Sequence, residues 1–292
     1  MQAALALERA GRRAVIINAD SAQVYRDLAI LSARPTCEDM RGIEHRLFGE
    51  WDGSKACSAA DWAARAREEI SALHAQGAYP ILVGGTGLYL RTLLDGIAPV
   101  PEIDPAIRRQ VRAMAVADAR AALLREDPER ATSLAPGDFA RIARALEVVR
   151  STGRTLSQWQ MDRTGGIGAA VCVKPAILLP ERKALYARCD QRFAAMLARG
   201  AVAEVEALLA RKLPPSLPVM KAIGVPQIAR YITGECSLDA AALSAAQATR
   251  NYVKRQFTWF RHQPPGHWPR LEFEDFDIGY ISEIILRHWR LT

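Results

Sequence analysis

The stretch YPILVGGTGLYLRTLLD, residues Tyr79 to Asp95, decides the fold. Its first five residues are a short apolar run of the kind found in buried strands. Gly84, Gly85 and Thr86 follow at once, and Leu88 to Asp95 continues as a helix. Upstream, Ala14 to Asn18 (AVIIN) is a second apolar run, and Asp20 and Ser21 lie just past its end. Ser58 to Gln76 reads as a helix closing at Gly77, and Ala3 to Arg12 as another before the first strand. Strands alternating with helices predict an α/β fold with a parallel sheet flanked by helices, and ligands collect at the carboxyl ends of such strands. Asp20 and the GGT turn both fall there.

Beyond Pro99 the texture changes. Strand-like runs vanish, and helical patterns bounded by Pro and Gly take over until about Gly168. The clearest helix starts at Asp138, a candidate N-cap, carries Ile142, Ala145, Leu146 and Val149 at i, i+3, i+4, i+7, and stops before Gly153. This predicts a helical subdomain over residues 101–168, inserted into an α/β core made of residues 1–100 and 169–292. The GGIG tract, Gly165 to Gly168, reads as a hinge back to the sheet, where Pro175 to Leu179 supplies another strand. The rest reads as helical almost to the end.

Composition narrows the class. The 292 residues are 50% hydrophobic and 24% charged, which excludes a disordered or fibrous chain. No apolar run reaches the roughly 18 residues that a membrane span needs, and Glu8 interrupts the only apolar stretch near the start. A soluble cytosolic monomer is expected. Cys37, Cys57, Cys172, Cys189 and Cys236 form no CxxC pair, and the histidines form no HxxxH pair, so neither a disulfide framework nor a zinc site is encoded. The net charge of +7 points weakly to an anionic partner.

Several residues could carry chemistry. A strand, GGT and a helix start can cradle a phosphate through backbone N–H groups and the Thr86 hydroxyl, or can simply be a tight turn that needs glycine. Asp20 could act as a general base or as a helix cap. Arg188, Arg192 and Arg199 form one helical stripe, either a solvated face or a phosphate contact. Arg250, Lys254 and Arg261 repeat that spacing beside an apolar stripe of Val253, Phe257 and Phe260, and no acid interrupts the run. Basic side chains interleaved with Trp259 and Gln256 suit a nucleic-acid backbone and unstacked bases.

These segments together resemble the tRNA dimethylallyltransferase family. INADSAQVYRDL (17–28), SARPT (32–36), HRLF (45–48), SAADW (58–62), PILVGGTGLYLRTLLDG (80–96), RIARALEV (141–148) and TRNYVKRQFTWFR (249–261) match it in order and separation. The resemblance implies a P-loop NTPase-like sheet and transfer of a dimethylallyl group from its diphosphate to the N6 amine of the adenosine following the anticodon. It implies that Asp20 is the general base, that Ser21, Ala22 and Gln23 line the pocket of the flipped base, and that Thr86 lies near both substrates. Gly84, Gly85, Thr86 and Arg192 would hold the diphosphate, with Mg²⁺ assisting its release. Arg108, the run Ala140, Arg141, Ile142, Ala143 and Arg144, then Lys221 and Gly224, and finally Lys254, Arg255, Gln256, Phe257, Thr258, Trp259, Phe260 and Arg261 would contact tRNA. A catalytically silent tRNA-binding protein and an adenine-nucleotide prenyltransferase are the rival readings, and the inserted helices argue against the latter.

Two departures stand out. The family opens with a strand and a GxxxxGK[ST] loop, whereas this chain has no Gly-Lys dipeptide. The expectation is a start just after that loop, with one central strand of the sheet missing. In KAIGVPQ, Lys221 to Gln227, Val225 and Pro226 stand where the family has an aromatic and a basic residue.

Overall fold

The computed structural model describes residues 1–273 and 278–290. It divides into two compact units, Met1–Arg91 with Val171–Thr292, and Thr92–Ala170.

In the first unit, β1 (Ala14–Asn18) is flanked by β2 (Glu44–Arg46) and β3 (Tyr79–Val83) in a parallel sheet of order β2-β1-β3. Every residue of β1 is buried, which explains its unbroken apolar run. Its register sets Ala14 opposite Tyr79 and Asn18 opposite Val83, so Asp20 and the GGT turn leave the sheet side by side. β1 is bonded on both sides, to β2 and to β3. β3 is an edge strand whose Tyr79 and Val83 are 44% and 49% exposed.

The helix Ala59–Ala75 begins in a capping box, in which the Ser58 side chain accepts from the Asp61 N–H and the Asp61 side chain from the Ser58 N–H. It buries Trp62 completely, and the indole Nε1 donates to the Asn18 carbonyl at 2.9 Å. Trp62 stacks on Tyr89, ring centroids 4.6 Å apart. This one side chain thereby ties the helix to the end of β1. The helix Gln2–Arg9 buries Ala4 and Leu7 against Ala14, Ile16 and Ile43.

The strand expected at Pro175–Leu179 is β4 (Ile177–Pro180), and it does not join β1–β3. It pairs in parallel with β5 (Arg270–Phe273), Ile177 opposite Arg270. β5 also corrects the expectation of helix almost to the end. It is a four-residue strand with two charged side chains, too short and polar for an apolar run to reveal. β2, with the sequence EHR, escaped notice for the same reason.

The second unit is helical. Helices Pro105–Arg112, Val116–Glu126, Pro128–Ser133 and Phe139–Thr152 pack Val111, Ala119, Leu123, Ala131, Ile142 and Leu146 into one core, and the short helix Leu156–Met161 follows. Asp138 caps the fourth through the Arg141 N–H at 3.3 Å, and Gly153 ends it with φ +70. The GGIG tract is no free hinge. Ile167 and Gly168 donate N–H bonds to the Leu93 and Leu94 carbonyls, and a Cβ on Gly166 would meet backbone within 2.7 Å, so glycine permits a close approach there.

Candidate functional site

The site forms where β1 and β3 end. Asn18, the last residue of β1, is fully buried, and its side chain serves both sides of the turn that follows. Its Nδ2 donates to the Asp20 and Leu47 carbonyls, each at 3.0 Å, and its Oδ1 accepts from the Asp20 N–H at 2.9 Å. The Asp20 carboxylate accepts from the Ala22 N–H at 2.8 Å and so fixes its own rotamer in an Asx turn. Asp20 caps no helix, which removes the bland reading of that residue.

The GGT turn is bonded directly to this segment. The Thr86 N–H donates to the Ala19 carbonyl at 3.2 Å, and Thr86 Oγ1 accepts from the Ser21 N–H at 2.9 Å while donating to Ser21 Oγ at 3.2 Å. A Cβ on Gly84 would lie 2.2 Å from the backbone of Ala19, so glycine is required for the two turns to meet. Asp20, Ser21 and Thr86 therefore form one rigid group.

Burial raises the Asp20 carboxyl above its ordinary pKa, and the Ala22 and Gln23 N–H groups and the Arg192 charge pull it partly back. Arg192 is exposed on the helix Arg182–Ala198, and the fold thus brings a cation to the carboxylate from far along the chain. A half-buried carboxylate with a raised pKa within the field of an exposed guanidinium suits a proton acceptor near an anion-binding side chain.

The long helix Leu238–His262 closes over the turn. Gln256 Nε2 donates to the Gly85 carbonyl at 2.9 Å, and a Cβ on Gly87 would meet the Trp259 ring at 2.4 Å. Tyr252, one turn before Gln256, bonds through its hydroxyl with Thr86, Gln256 and Ser21. Burial and then the nearby Asp20 charge raise its pKa. Tyr252 and Asn18 are site residues that sequence reasoning missed. Their signals were a polar residue closing an apolar strand, and the spacing of Tyr252, Gln256 and Trp259 at i, i+4, i+7 on one helical face.

The other expected contacts divide. Lys254, Arg255 and Thr258 are exposed, as are Lys221, Arg108, Ala140 and Arg141. Gln256 and Trp259 are turned onto the GGT turn instead, because the helix needs a docking face there. Phe257 lies under the guanidiniums of Arg182 and Arg261, 4.7 and 5.2 Å from its centroid, and it packs with them rather than standing free. Phe260 meets Trp259 edge-on at 4.8 Å. Arg250 pairs with Asp190 at 2.8 Å and Arg261 with Glu272 at 2.5 Å, so acids from other segments partner a stripe that lacks its own.

In the second unit, Ile142 and Ala143 are fully buried core residues, and their side chains are closed to any ligand. Arg144 is half-buried. Burial lowers its pKa, Glu147 opposes this, and Arg108 and Arg112 lower it further. That places three guanidiniums close together. Gly224 is buried with φ +99, its N–H bonded to Gln227 Oε1 at 2.9 Å, and a Cβ there would strike Leu31 at 2.7 Å. It acts as a packing and cap residue. Of the departure in KAIGVPQ, Val225 behind it is buried in the core and Pro226 is exposed.

Among the described residues no three His, Cys, Asp or Glu side chains gather where they could hold a metal. No helix among them is long and apolar enough to cross a membrane.

A family model described as "IPP transferase" matches residues 23–263. The chain is similar to "tRNA dimethylallyltransferase" of Erythrobacter litoralis, 65% identical over 98% of this chain and 90% of the relative. It is also similar to the protein of that name from Novosphingobium aromaticivorans, 66% identical over 94% of this chain and 98% of the relative. Among solved structures it is similar to a eukaryotic dimethylallyltransferase described as acting on tRNA, with TM-score 0.73 and 25% identity, covering 94% of this chain and 70% of the other. A match across most of the length, together with relatives at such identity, shows that the chain belongs to the IPP transferase family.

Proposed function

We propose that the protein transfers a dimethylallyl group from dimethylallyl diphosphate to N6 of the adenosine 3′ of the anticodon in tRNA. The relatives' names support the reaction, and the observation that carries the assignment of roles is the Asp20 group. Asn18 holds its backbone, the Ala22 N–H holds its half-buried carboxylate, the neighbouring Ser21 N–H is bonded to Thr86, and the Arg192 charge acts on the carboxylate.

The chemistry follows from that arrangement. The N6 nitrogen attacks the allylic carbon, a C–N bond forms, and the bond from carbon to the diphosphate oxygen breaks with its electron pair leaving on oxygen. The N6 proton passes to Asp20, whose raised pKa lets it take a proton that an ordinary surface carboxylate would hold poorly. Arg192, the N–H groups of Gly84 and Gly85 and the Thr86 hydroxyl offset the charge on the departing diphosphate. Gln23 and Ser21, beside Asp20, would orient the extruded base. Mg²⁺ would arrive bound to the diphosphate, since the described carboxylates build no cage for it, and no step is assigned to it. Lys254, Arg255 and Thr258, with Arg108, Arg141 and Arg144, would bind the tRNA backbone. A cytoplasmic monomer is consistent with this chemistry.

The direct test incubates the purified protein with unmodified tRNA, dimethylallyl diphosphate and Mg²⁺, digests the RNA, and looks by mass spectrometry for N6-dimethylallyladenosine. The modified nucleoside in tRNA, absent without the diphosphate, is expected. Tight tRNA binding with no modified nucleoside would favour a silent RNA-binding protein.

A further inference from the structure

The side chain of Gln23 is oriented by a loop, and that loop is held by a carboxylate from another helix. Glu204, in the first turn of the helix Ala201–Ala210, accepts three backbone N–H bonds. Ala29 and Ile30 donate to Oε1, each at 2.7 Å, and Leu31 donates to Oε2 at 2.9 Å. Three successive N–H groups converging on one anion form a nest, and charge-assisted bonds of this kind are stronger than neutral ones.

The opposite face of the same loop presents carbonyls. Gln23 Nε2 donates to the Ser32 and Ala33 carbonyls at 3.0 and 3.1 Å. Between the two faces the loop closes on itself, the Ala33 N–H donating to the Ile30 carbonyl at 2.9 Å and the Arg34 N–H to Ala29 at 3.0 Å. Ala33 has φ 52, a left-handed conformation that a non-glycine residue keeps only when its surroundings impose it. The chain of contacts is therefore continuous from Glu204 to residues 29–31, to the carbonyls of 32 and 33, to the Gln23 amide. Arg211, at the other end of the same helix, pairs with Asp27, two residues before that loop, and with Asp52.

We propose that Glu204 is a positioning residue for the transfer reaction, fixing the Gln23 amide by anchoring the Ala29–Leu31 amides. This rests on the reading that Gln23 lines the pocket of the target adenosine. Glu204 touches neither substrate, so its effect should fall on tRNA recognition through Gln23.

The test compares Glu204→Gln, Glu204→Ala, Gln23→Ala and the double variant Glu204→Ala/Gln23→Ala in steady-state transfer with saturating dimethylallyl diphosphate. Glu204→Ala should raise KM for tRNA by about tenfold with a smaller change in kcat. Glu204→Gln should be intermediate, since its single carbonyl oxygen can keep the Ala29 and Ile30 bonds while Leu31 loses its partner. On the Gln23→Ala background, Glu204→Ala should add less than about twofold, because the positioned group is already gone. A full tenfold effect on that background would overturn the proposal, as would a Gln23→Ala variant with unchanged KM. Hydrogen exchange of amides 29–31 in the free protein gives a readout independent of activity. Exchange should be faster in Glu204→Gln than in the parent, and identical exchange would refute the anchoring even if the transfer reading holds. A parent protein that transfers nothing would instead count against the functional reading alone. Should Glu204→Ala not fold, the Glu204→Gln comparison carries both tests.

Discussion

Asn18→Asp is an isosteric change at the residue that holds the site together, and its cost can be worked from three bonds. In the parent, the amide donates to the Asp20 and Leu47 carbonyls and accepts from the Asp20 N–H, with no solvent exposure. A protonated acid keeps the acceptor but has one donor, so one carbonyl is orphaned at a cost of about 1–3 kcal/mol. An ionised acid has no donor and sets an anion against two carbonyl oxygens. Burial and these dipoles raise the pKa of the introduced carboxyl, by about two units, and each unit is worth about 1.4 kcal/mol. A group whose folded pKa is raised loses stability as pH climbs from its unfolded value, near 4, to its folded value, near 6, and the loss is constant above that. The deficit should thus grow from about 2 kcal/mol at pH 4 to about 5 at pH 7.5. At roughly 2–4 °C per kcal/mol, the midpoint should fall below the parent's by about 4–8 °C at pH 4 and 10–20 °C at pH 7.5. Thermal unfolding by circular dichroism across that range measures it. A deficit that does not change with pH, or none at all, would refute the bonding assigned to Asn18.

Four further variants probe the turn, the cation and the RNA surface. Gly84→Ala drives a methyl into the Ala19 backbone at 2.2 Å and should cost about 2–4 kcal/mol and most of the activity. Gly85→Ala meets only the Gln256 side-chain end and should be far milder, so equal Tm values for the two variants would contradict the packing. Arg192→Ala removes a charge that lowers the Asp20 pKa, so the acid limb of the transfer rate should move to higher pH as kcat falls. An acid limb that stays put or moves down, read from a pH–rate profile, would separate Arg192 from Asp20. Lys254→Ala with Arg255→Ala should weaken tRNA binding and reduce the slope of log K against log salt by about 1–2. An unchanged slope in a filter-binding titration would leave those side chains in solvent.

Much of this was legible in local sequence. β1 is fully buried and β3 lies beside it, both as unbroken apolar runs, and both turns that build the site lie at their ends, where parallel sheets bind ligands. Ser58 and Asp138 announced their helices because capping chemistry is local. The illegible parts depend on partners distant in sequence. Glu204 looks like any acid in a helix until it meets the amides of Ala29 to Leu31. Whether Pro175 to Leu179 joined the main sheet depended on Arg270–Phe273, a strand too short to announce itself. A matched motif also does not separate residues that face a ligand from those that hold the motif up. RIARALEV contains exposed Arg141 and buried Ile142, and TRNYVKRQFTWFR contains exposed Lys254 beside Gln256 bound to Gly85. One face of each helix must pack, and family resemblance spreads the functional role over both.

The central claim is that Asp20 takes the proton from the adenosine amine. Asp20→Asn keeps the size of the side chain and an oxygen for the Ala22 N–H, and it removes a carboxylate whose raised pKa costs stability at neutral pH. The variant should therefore unfold no earlier than the parent at pH 8. Single-turnover transfer to tRNA, measured beside equilibrium tRNA binding, decides the matter. The account predicts a rate lowered by about 10²–10⁴-fold with tRNA affinity within about twofold of the parent. Transfer at the parent's rate, or a loss of binding as large as the loss of rate, would contradict it.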